Sequence, residues 1–205
     1  TTTNVTFNRD VFGPPEIKPE EIKVPDTKHA DRGCFGVVYK GKCRGIIVAV
    51  KKLFKQQLNE KDLSAFKKEV EIASRLAHPN IVLFMGACTM PGEMAIITEF
   101  CTKGNLEQVL YSKGAKISLH RRMIMAREAA AGLSWLHCRT PQIWHRDIKP
   151  ANFLVDKNGT VKVCDFGLSV IKPSTEDFCD KDTIPGSPIY MAPEVLQGKF
   201  LSEKI

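Results

Sequence analysis

The sequence has no apolar run approaching the roughly 18 residues that a membrane-crossing helix needs, so nothing in it marks a helical membrane span. It has no Cys-x-x-Cys pair among its seven cysteines, Cys34, Cys43, Cys88, Cys101, Cys138, Cys164 and Cys179, and seven is an odd number. Zinc ribbons, dithiol redox centres and a closed disulfide framework are therefore not indicated, and the cysteines read as reduced thiols of a cytoplasmic protein. Residues 1–10 lack the basic start and apolar core of an export signal, so the Asn4-Val-Thr and Asn158-Gly-Thr sequons carry no weight. An initiator Met is also missing, and the chain is expected to be an excerpt of a longer one. There is no internal repeat, no low-complexity tract and no Gly-x-x-x-x-Gly-Lys-Ser/Thr of a P-loop hydrolase. Lys and Arg give a net charge of +7 but are interspersed with Asp and Glu rather than blocked together. A nucleic-acid binder would show a clustered basic face with aromatics, so the positive surplus better suits the handling of phosphate.

What is present is an ordinary globular composition, 43% hydrophobic and 26% charged over 205 residues, enough for one core or two small lobes. Residues 1–28 are rich in proline and charge (Gly13-Pro-Pro-Glu, Lys18-Pro-Glu-Glu, Val24-Pro-Asp) and read as an extended leader. Residues 37–39 and 46–51 are short β-rich runs separated by a turn around Gly41 and Gly45. In the second run, period two puts Ile47, Ala49 and Lys51 on one face. From residue 62 to about 77, Leu63, Phe66, Val70, Ala73 and Leu76 recur at helical spacing until His78-Pro-Asn stops them. Glu69 falls on that apolar face, where an ionised carboxylate needs a partner, and Lys51 is the natural one. Strands are predicted at 81–85 and 94–100, followed by a polar connector at Thr102-Lys-Gly-Asn. Leu119–His137 reads as a long buried helix with Leu119, Met123, Ala126, Ala130, Leu133 and Leu136 on its stripe.

Beyond that helix lies the densest chemistry. Residues 153–156 and 160–164 are two strands joined through Lys157-Asn-Gly159, and Asn-Gly is a strong hairpin signal. Polar clusters flank this hairpin, His145-Arg-Asp-Ile-Lys-Pro-Ala-Asn152 before it and Asp165-Phe-Gly167 after it. Because a hairpin brings its ends together, Asp147, Lys149, Asn152 and Asp165 are expected to converge. Two carboxylates, an amide oxygen and an ammonium suit a magnesium ion and phosphate, since magnesium takes a few oxygen ligands and keeps waters or phosphate oxygens. Upstream, Gly33 and Gly36 stand three apart before a β-branched pair, a spacing that lets backbone N–H groups approach a phosphate. By itself that loop specifies no more than a turn.

Taken in order, these motifs resemble the protein kinase family from about residue 31 to 194. Gly33-x-x-Gly36-x-Val38 is similar to the glycine-rich loop, Val48-Ala-Val-Lys51 to the strand lysine, and Glu69 to its helix partner. His145 to Asn152 resembles the catalytic loop, Asp165-Phe-Gly167 the metal-binding triplet, and Ala192-Pro-Glu194 the close of the activation segment. The resemblance implies an α+β bilobal fold: an antiparallel-sheet N-lobe with one helix over 29–101, then a mainly helical C-lobe over 102–205, truncated after Ala-Pro-Glu. It implies ATP and Mg2+ as cofactors. Lys51, held by Glu69, would neutralise the α and β phosphates, Asn152 and Asp165 would hold magnesium, and Asp147 would accept the proton of the substrate hydroxyl. Lys149 would stabilise the transferring γ-phosphoryl group. Val38, Ala49 and Leu154 would sandwich adenine, the backbone of Glu99 and Cys101 would bond its edge, and Thr98 would guard the pocket behind.

Lys149 two after Asp147, with Gly186-Ser-Pro-Ile-Tyr before Ala192-Pro-Glu, resembles kinases acting on Ser/Thr hydroxyls of proteins. Leu83-Phe-Met-Gly-Ala-Cys88 and Ile97-Thr-Glu-Phe-Cys101 resemble the tyrosine-kinase-like branch with the Raf and mixed-lineage kinases, above all amoebal and plant members. Some of that branch are described as dual-specificity. An upstream activating kinase is implied by Arg146, which such enzymes pair with a phosphate on the activation segment; Ser169, Ser174, Thr175, Thr183 and Ser187 are the candidates, Ser187 discounted as a switch. Three departures stand out. Asp31 replaces the first loop glycine, after a stretch lacking strand alternation. Ala73, four after Glu69, is smaller than the residue of many relatives and is expected to bias the helix outward. The chain stops at Ile205, eleven residues after Glu194, and is expected to be unstable or inactive by itself. A pseudokinase scaffold is the alternative, against which Lys51, Glu69, Asp147, Asn152 and Asp165 all speak.

Overall fold

The β-branched residues around Val37 and Val48 build the longest hairpin of the computed structural model. Described in it are residues 14–24, 30–32, 36–54, 60–112, 114, 116–171 and 186–197. Six strands form the N-terminal sheet: β1 (Ile22–Lys23), β2 (Ala30–Arg32), β3 (Gly36–Cys43), β4 (Ile46–Leu53), β5 (Phe84–Cys88) and β6 (Ala95–Glu99). Their order is β1-β3-β4-β6-β5, with β2 pairing the other half of β3, and every pairing is antiparallel. The β3–β4 turn lies at Arg44-Gly45, both at positive φ. Gly41 is not part of it but sits inside β3, where a Cβ would come within 2.9 Å of the Lys23 carbonyl oxygen. Of the stretch expected to lack strand alternation, residues 25–29 lie outside the described residues, while Ala30 at its end stands opposite Tyr39, and Asp31 follows opposite Val38. Ile81, predicted in a strand, makes only an isolated bridge to Val163.

Alternation along the strands sorts the core into two faces. Val48 and Val50 of β4 with Ala95 and Ile97 of β6 point to one face. On the other, Ile96 joins Ala87, Met94 and the Phe66 and Val70 side chains of α1 (Glu60–Ser74), the helix expected from its periodicity. The first face is closed by the segment predicted to be an extended leader. Ile17 is only 2% exposed and packs among Cys43, Val48 and Cys88. Its N–H donates to the Ala87 carbonyl (2.8 Å), and the Ala87 N–H to the Pro15 carbonyl (3.0 Å), so the segment runs along the outer edge of β5. Gly86 makes room, since a Cβ there would lie 2.6 Å from Ile17 Cδ1.

The second lobe is built on α3 (Leu119–His137), capped by Ser118, whose hydroxyl accepts the Arg121 N–H. Before it comes α2 (Leu106–Tyr111), absent from the sequence reading, opened by a reciprocal capping box of Asn105 and Gln108. After α3 come β7 (Ile143–Trp144), β8 (Phe153–Val155), β9 (Val161–Val163), β10 (Val170–Ile171) and α4 (Pro193–Leu196). The β8–β9 hairpin forms as expected, its turn held by Asp156, which accepts the N–H groups of Asn158 and Thr160, and by Gly159 at φ 90°. The pairing of β7 with β10 was not foreseen.

The buried stripe of α3 differs from the expected one. Leu119 and Met123 are 76% and 64% exposed, and Ala126 and Ala130 are exposed too, whereas Met125, Gly132 and Leu136 are buried. The helix meets the hairpin through Gly132, where a Cβ would lie 2.5 Å from both the Asn80 carbonyl oxygen and Val163 Cγ2. Asn80 and Val82 in turn bond β9: the Asn80 carbonyl accepts the Val163 N–H and the Val82 N–H donates to the Val163 carbonyl, each at 2.9 Å. The core around Ile72, Leu76, Ile81, Leu136, Val155 and Val163 is thus shared by α1, α3 and the hairpin. Replacing Gly132 by Ala tests this contact. Helix propensity alone favours Ala by about 1 kcal/mol, but overpacking costs about 1–3 kcal/mol. Gly132→Ala is expected to lower the urea unfolding midpoint; a rise would show that the close approach is relieved at no cost.

Candidate functional site

Lys51 lies on the face of β4 opposite the buried Val48 and Val50, level with Val38 on one neighbour and Ile96 on the other. Its ammonium is 2.7 Å from Glu69 Oε1 of α1 and 2.8 Å from Asp165 Oδ1, just beyond β9. One cation therefore ties the sheet, the helix and the second lobe together. Burial disfavours the Lys51 ammonium, yet the attraction of Glu69 and Asp165 exceeds that cost and holds its pKa above the ordinary lysine value. Burial pushes the Glu69 carboxyl up, with Lys51 opposing; for Asp165 burial acts the same way but Lys51 wins, and its pKa falls below the usual carboxylate range. The small Ala73 does not turn α1 outward, since the Lys51–Glu69 pair is closed.

The loop before β8 is organised by His145, which is fully buried, with burial pushing its pKa down. A neutral ring fits both of its contacts: Nε2 donates to the Cys164 carbonyl (2.9 Å) and Nδ1 accepts the Asp147 N–H (3.3 Å). Arg146 and Asp165 hold positive φ, 67° and 63°, uncommon for residues with a side chain. Asp147 is buried, and its Oδ2 accepts the Asn152 amide (2.8 Å) and the Lys149 ammonium (2.7 Å). Its other oxygen, Oδ1, is buried with no hydrogen-bond partner among the described residues. Lys149 also donates to the Ser187 hydroxyl at 2.8 Å, tying the loop to the segment before α4. The Cys164 N–H donates to the Asn152 carbonyl (3.0 Å), so the two polar clusters are stitched together at the mouth of the hairpin, as its geometry required.

Between the lobes, Thr98 and Glu99 end β6 and Cys101 follows, its thiol pushed up to about 12 chiefly by burial. The Glu99 carboxylate accepts the Leu83 N–H (2.8 Å) and pairs with Lys162 of β9 (2.7 Å), a bridge that the sequence did not signal. Val38, Ala49 and Leu154 are all half-buried rather than sealed in a core. Gly36 lies against β4, where a Cβ would collide with the Lys52 carbonyl, whereas Gly33 falls outside the described residues. Ser169, one of the candidate phosphorylation sites, is buried and donates to the His145 carbonyl (3.3 Å), which removes it from that set. Ser174, Thr175 and Thr183 lie outside the described residues. Burial raises the Cys164 thiol far above its ordinary value, as suits an inert cysteine.

A family model described as protein kinase domain matches residues 27–205. The chain is 51% identical over 198 residues to dual specificity protein kinase shkC of Dictyostelium discoideum, covering 97% of this chain and 39% of that protein. It is 52% identical over 197 residues to shkA of the same organism, 95% and 37% covered. With serine/threonine-protein kinase CTR1 of Arabidopsis thaliana it shares 47% over 174 residues, 84% and 21% covered. The chain thus spans no more than 39% of the length of these relatives.

The Lys51 cluster makes a pH-dependent prediction. In Lys51→Met, Glu69 stays buried without its cation, and losing one partner of such a pair costs about 3–5 kcal/mol at neutral pH. A carboxyl whose folded pKa is raised gives stability at low pH that is lost as pH rises through that folded pKa. The variant should therefore be destabilised less at about pH 5 than at about pH 7 relative to the parent, by urea titration at both. An equal loss at both would mean that Glu69 finds another partner.

Proposed function

The chain belongs to the protein kinase family, and from that premise we propose that the protein transfers the γ-phosphoryl group of ATP to serine and threonine hydroxyls of protein substrates. The observation that carries this reading is the asymmetry of Asp147. Asn152 and Lys149 fix one carboxylate oxygen, while the other is buried and has no hydrogen-bond partner among the described residues, ready to accept. Asp147 Oδ1 would orient the incoming hydroxyl and take its proton as the new oxygen–phosphorus bond forms and the bond from the γ-phosphorus to the bridging oxygen breaks, leaving ADP. Lys149, anchored on Ser187, lies against the same carboxylate, placed to offset charge on the phosphoryl group in flight. Lys51, oriented by Glu69, would meet the α and β phosphates.

The donor set fits magnesium. The Asn152 nitrogen is bonded to Asp147, which leaves the amide oxygen to face a cation, and Asp165 is held ionised by Lys51. Magnesium bound by Asn152 and Asp165 would neutralise the polyphosphate. Adenine would lie between Val38 and Ala49 above and Leu154 below, edged by the backbone of Glu99 and Cys101 and limited by Thr98, with Gly33 and Gly36 over the phosphates. Arg146 would receive the phosphate placed on the activation segment by an upstream kinase. Among the described residues no helix is long and apolar enough to cross a membrane, and the cytoplasm is the compartment we assign.

A second reading adds tyrosine to the acceptors, favoured by the dual-specificity relatives. The test is labelled-phosphate transfer by the full-length protein to generic protein substrates, followed by phosphoamino-acid analysis. Phosphoserine and phosphothreonine are expected, and phosphotyrosine beside them would establish the second reading. Asp147→Asn should lower kcat by about a hundredfold or more, with ATP affinity largely kept. No transfer by the parent enzyme would favour a nucleotide-binding scaffold, and equal transfer by the variant would remove Asp147 from its role.

A further inference from the structure

On the second lobe, α2, the start of α3 and the β8–β9 turn enclose a cleft of about 360 Å³. Its apolar lining includes Val109, Ile117 and Met125, and its rim carries Lys103, Lys116 and Arg121. These cations are scattered in the sequence, which hid them from a reading by charge runs, and the fold gathers them. The gathering can be located at Gly159: a Cβ built there would lie 3.1 Å from Arg121 Nη2 and 3.5 Å from Lys103 Nζ. Two cationic groups thus converge on one point. Arg121 donates to the Gly159 carbonyl and has Glu128 at 3.8 Å. Neither Lys103 nor Lys116 has an ion pair or a side-chain hydrogen bond among the described residues. Among the described residues the one ion pair of these three cations is the long Arg121–Glu128 contact, and Asp156 in the same turn spends its Oδ1 on the Asn158 and Thr160 N–H groups, so cations so placed repel one another unless an anion enters.

We propose that this cleft docks an acidic peptide segment of a partner protein, with an apolar side chain on the floor and carboxylates or phosphates against Lys103, Lys116 and Arg121. Charge complementarity sets the sign of the partner. The apolar floor sets its class, since a free phosphate or a nucleic-acid backbone would leave the half-buried Val109 and Ile117 uncovered. The open first turn of α3 adds its positive end to the same field. None of these residues belongs to the site around Asp147 and Lys51, so docking and chemistry are separable.

The test uses the full-length protein and a fluorescein-labelled peptide alternating Glu and Leu, read by anisotropy. One arm replaces Glu by phosphoserine, a second replaces Glu by Lys, and unlabelled inorganic phosphate and a single-stranded RNA serve as competitors. Saturable binding of the Glu peptide is expected, weakened by salt and absent for the Lys peptide. The comparison between Glu and phosphoserine peptides then identifies which anion the rim prefers. In a Lys103→Glu, Lys116→Glu double variant, affinity should fall about tenfold or more while circular dichroism and transfer to a short generic substrate stay as in the parent. Lys103→Arg with Lys116→Arg should keep binding, which separates loss of charge from misfolding. Absence of saturable binding, unchanged affinity in the charge-reversed variant, or displacement by phosphate or RNA at concentrations equal to the peptide would overturn the proposal.

Discussion

One ammonium shared by two carboxylates is the constraint on which the rest of the structure depends. Lys51 stands on a strand, Glu69 on a helix and Asp165 after a hairpin of the second lobe, so the two short bonds at 2.7 and 2.8 Å fix three elements at once. In a dry site neither carboxylate could stay ionised alone, because desolvation of an unpaired charge outweighs what packing returns. The cluster keeps a net negative charge, which is why the two carboxyls respond oppositely to the same lysine: the deeper Glu69 moves up and Asp165 moves down. It is a device for orientation more than for stability. Its geometry requires α1 to lie against the sheet, and the short Ala73 is accommodated without breaking it.

A second network, built on neutral hydrogen bonds, fixes the loop around Asp147. The buried ring of His145 joins the loop to the strand end at Cys164, with one nitrogen donating and the other accepting. Backbone strain sits on either side of the hairpin, at Arg146 and Asp165, where the chain turns through left-handed conformations to aim its side chains. Between these points the β8–β9 hairpin acts as a spacer of set length. A carboxylate with one oxygen clamped and the other without a partner among the described residues is what such rigid surroundings make possible.

Much of this was legible in the sequence because it is local or periodic. Asn158-Gly159 declared the hairpin, apolar spacing placed Glu69 on the inner face of α1, and alternation set Lys51 apart from Val48 and Val50. What escaped notice depends on partners distant in the chain. The six residues of α2 are too few to show a period, although the Asn105–Gln108 capping box was there to be read. The buried stripe of α3 was misjudged because a glycine, Gly132, makes its closest approach, and hydrophobicity gives glycine no weight. Ser169 looks like any exposed hydroxyl until the fold turns it under His145, and the bridge from Glu99 to Lys162 joins residues 63 apart.

The segment around Ile17 bears on where this unit of structure begins. The family match starts at residue 27, whereas the sheet is completed from Pro15 onward. A chain trimmed to the matched boundary would lose the apolar plug over Cys43, Val48 and Cys88 and bare the N–H and carbonyl of Ala87 on β5. An unguarded strand of that kind is a template for adding another chain. Residues 15–17 therefore belong to the same unit of structure as the sheet and cover its edge at Ala87.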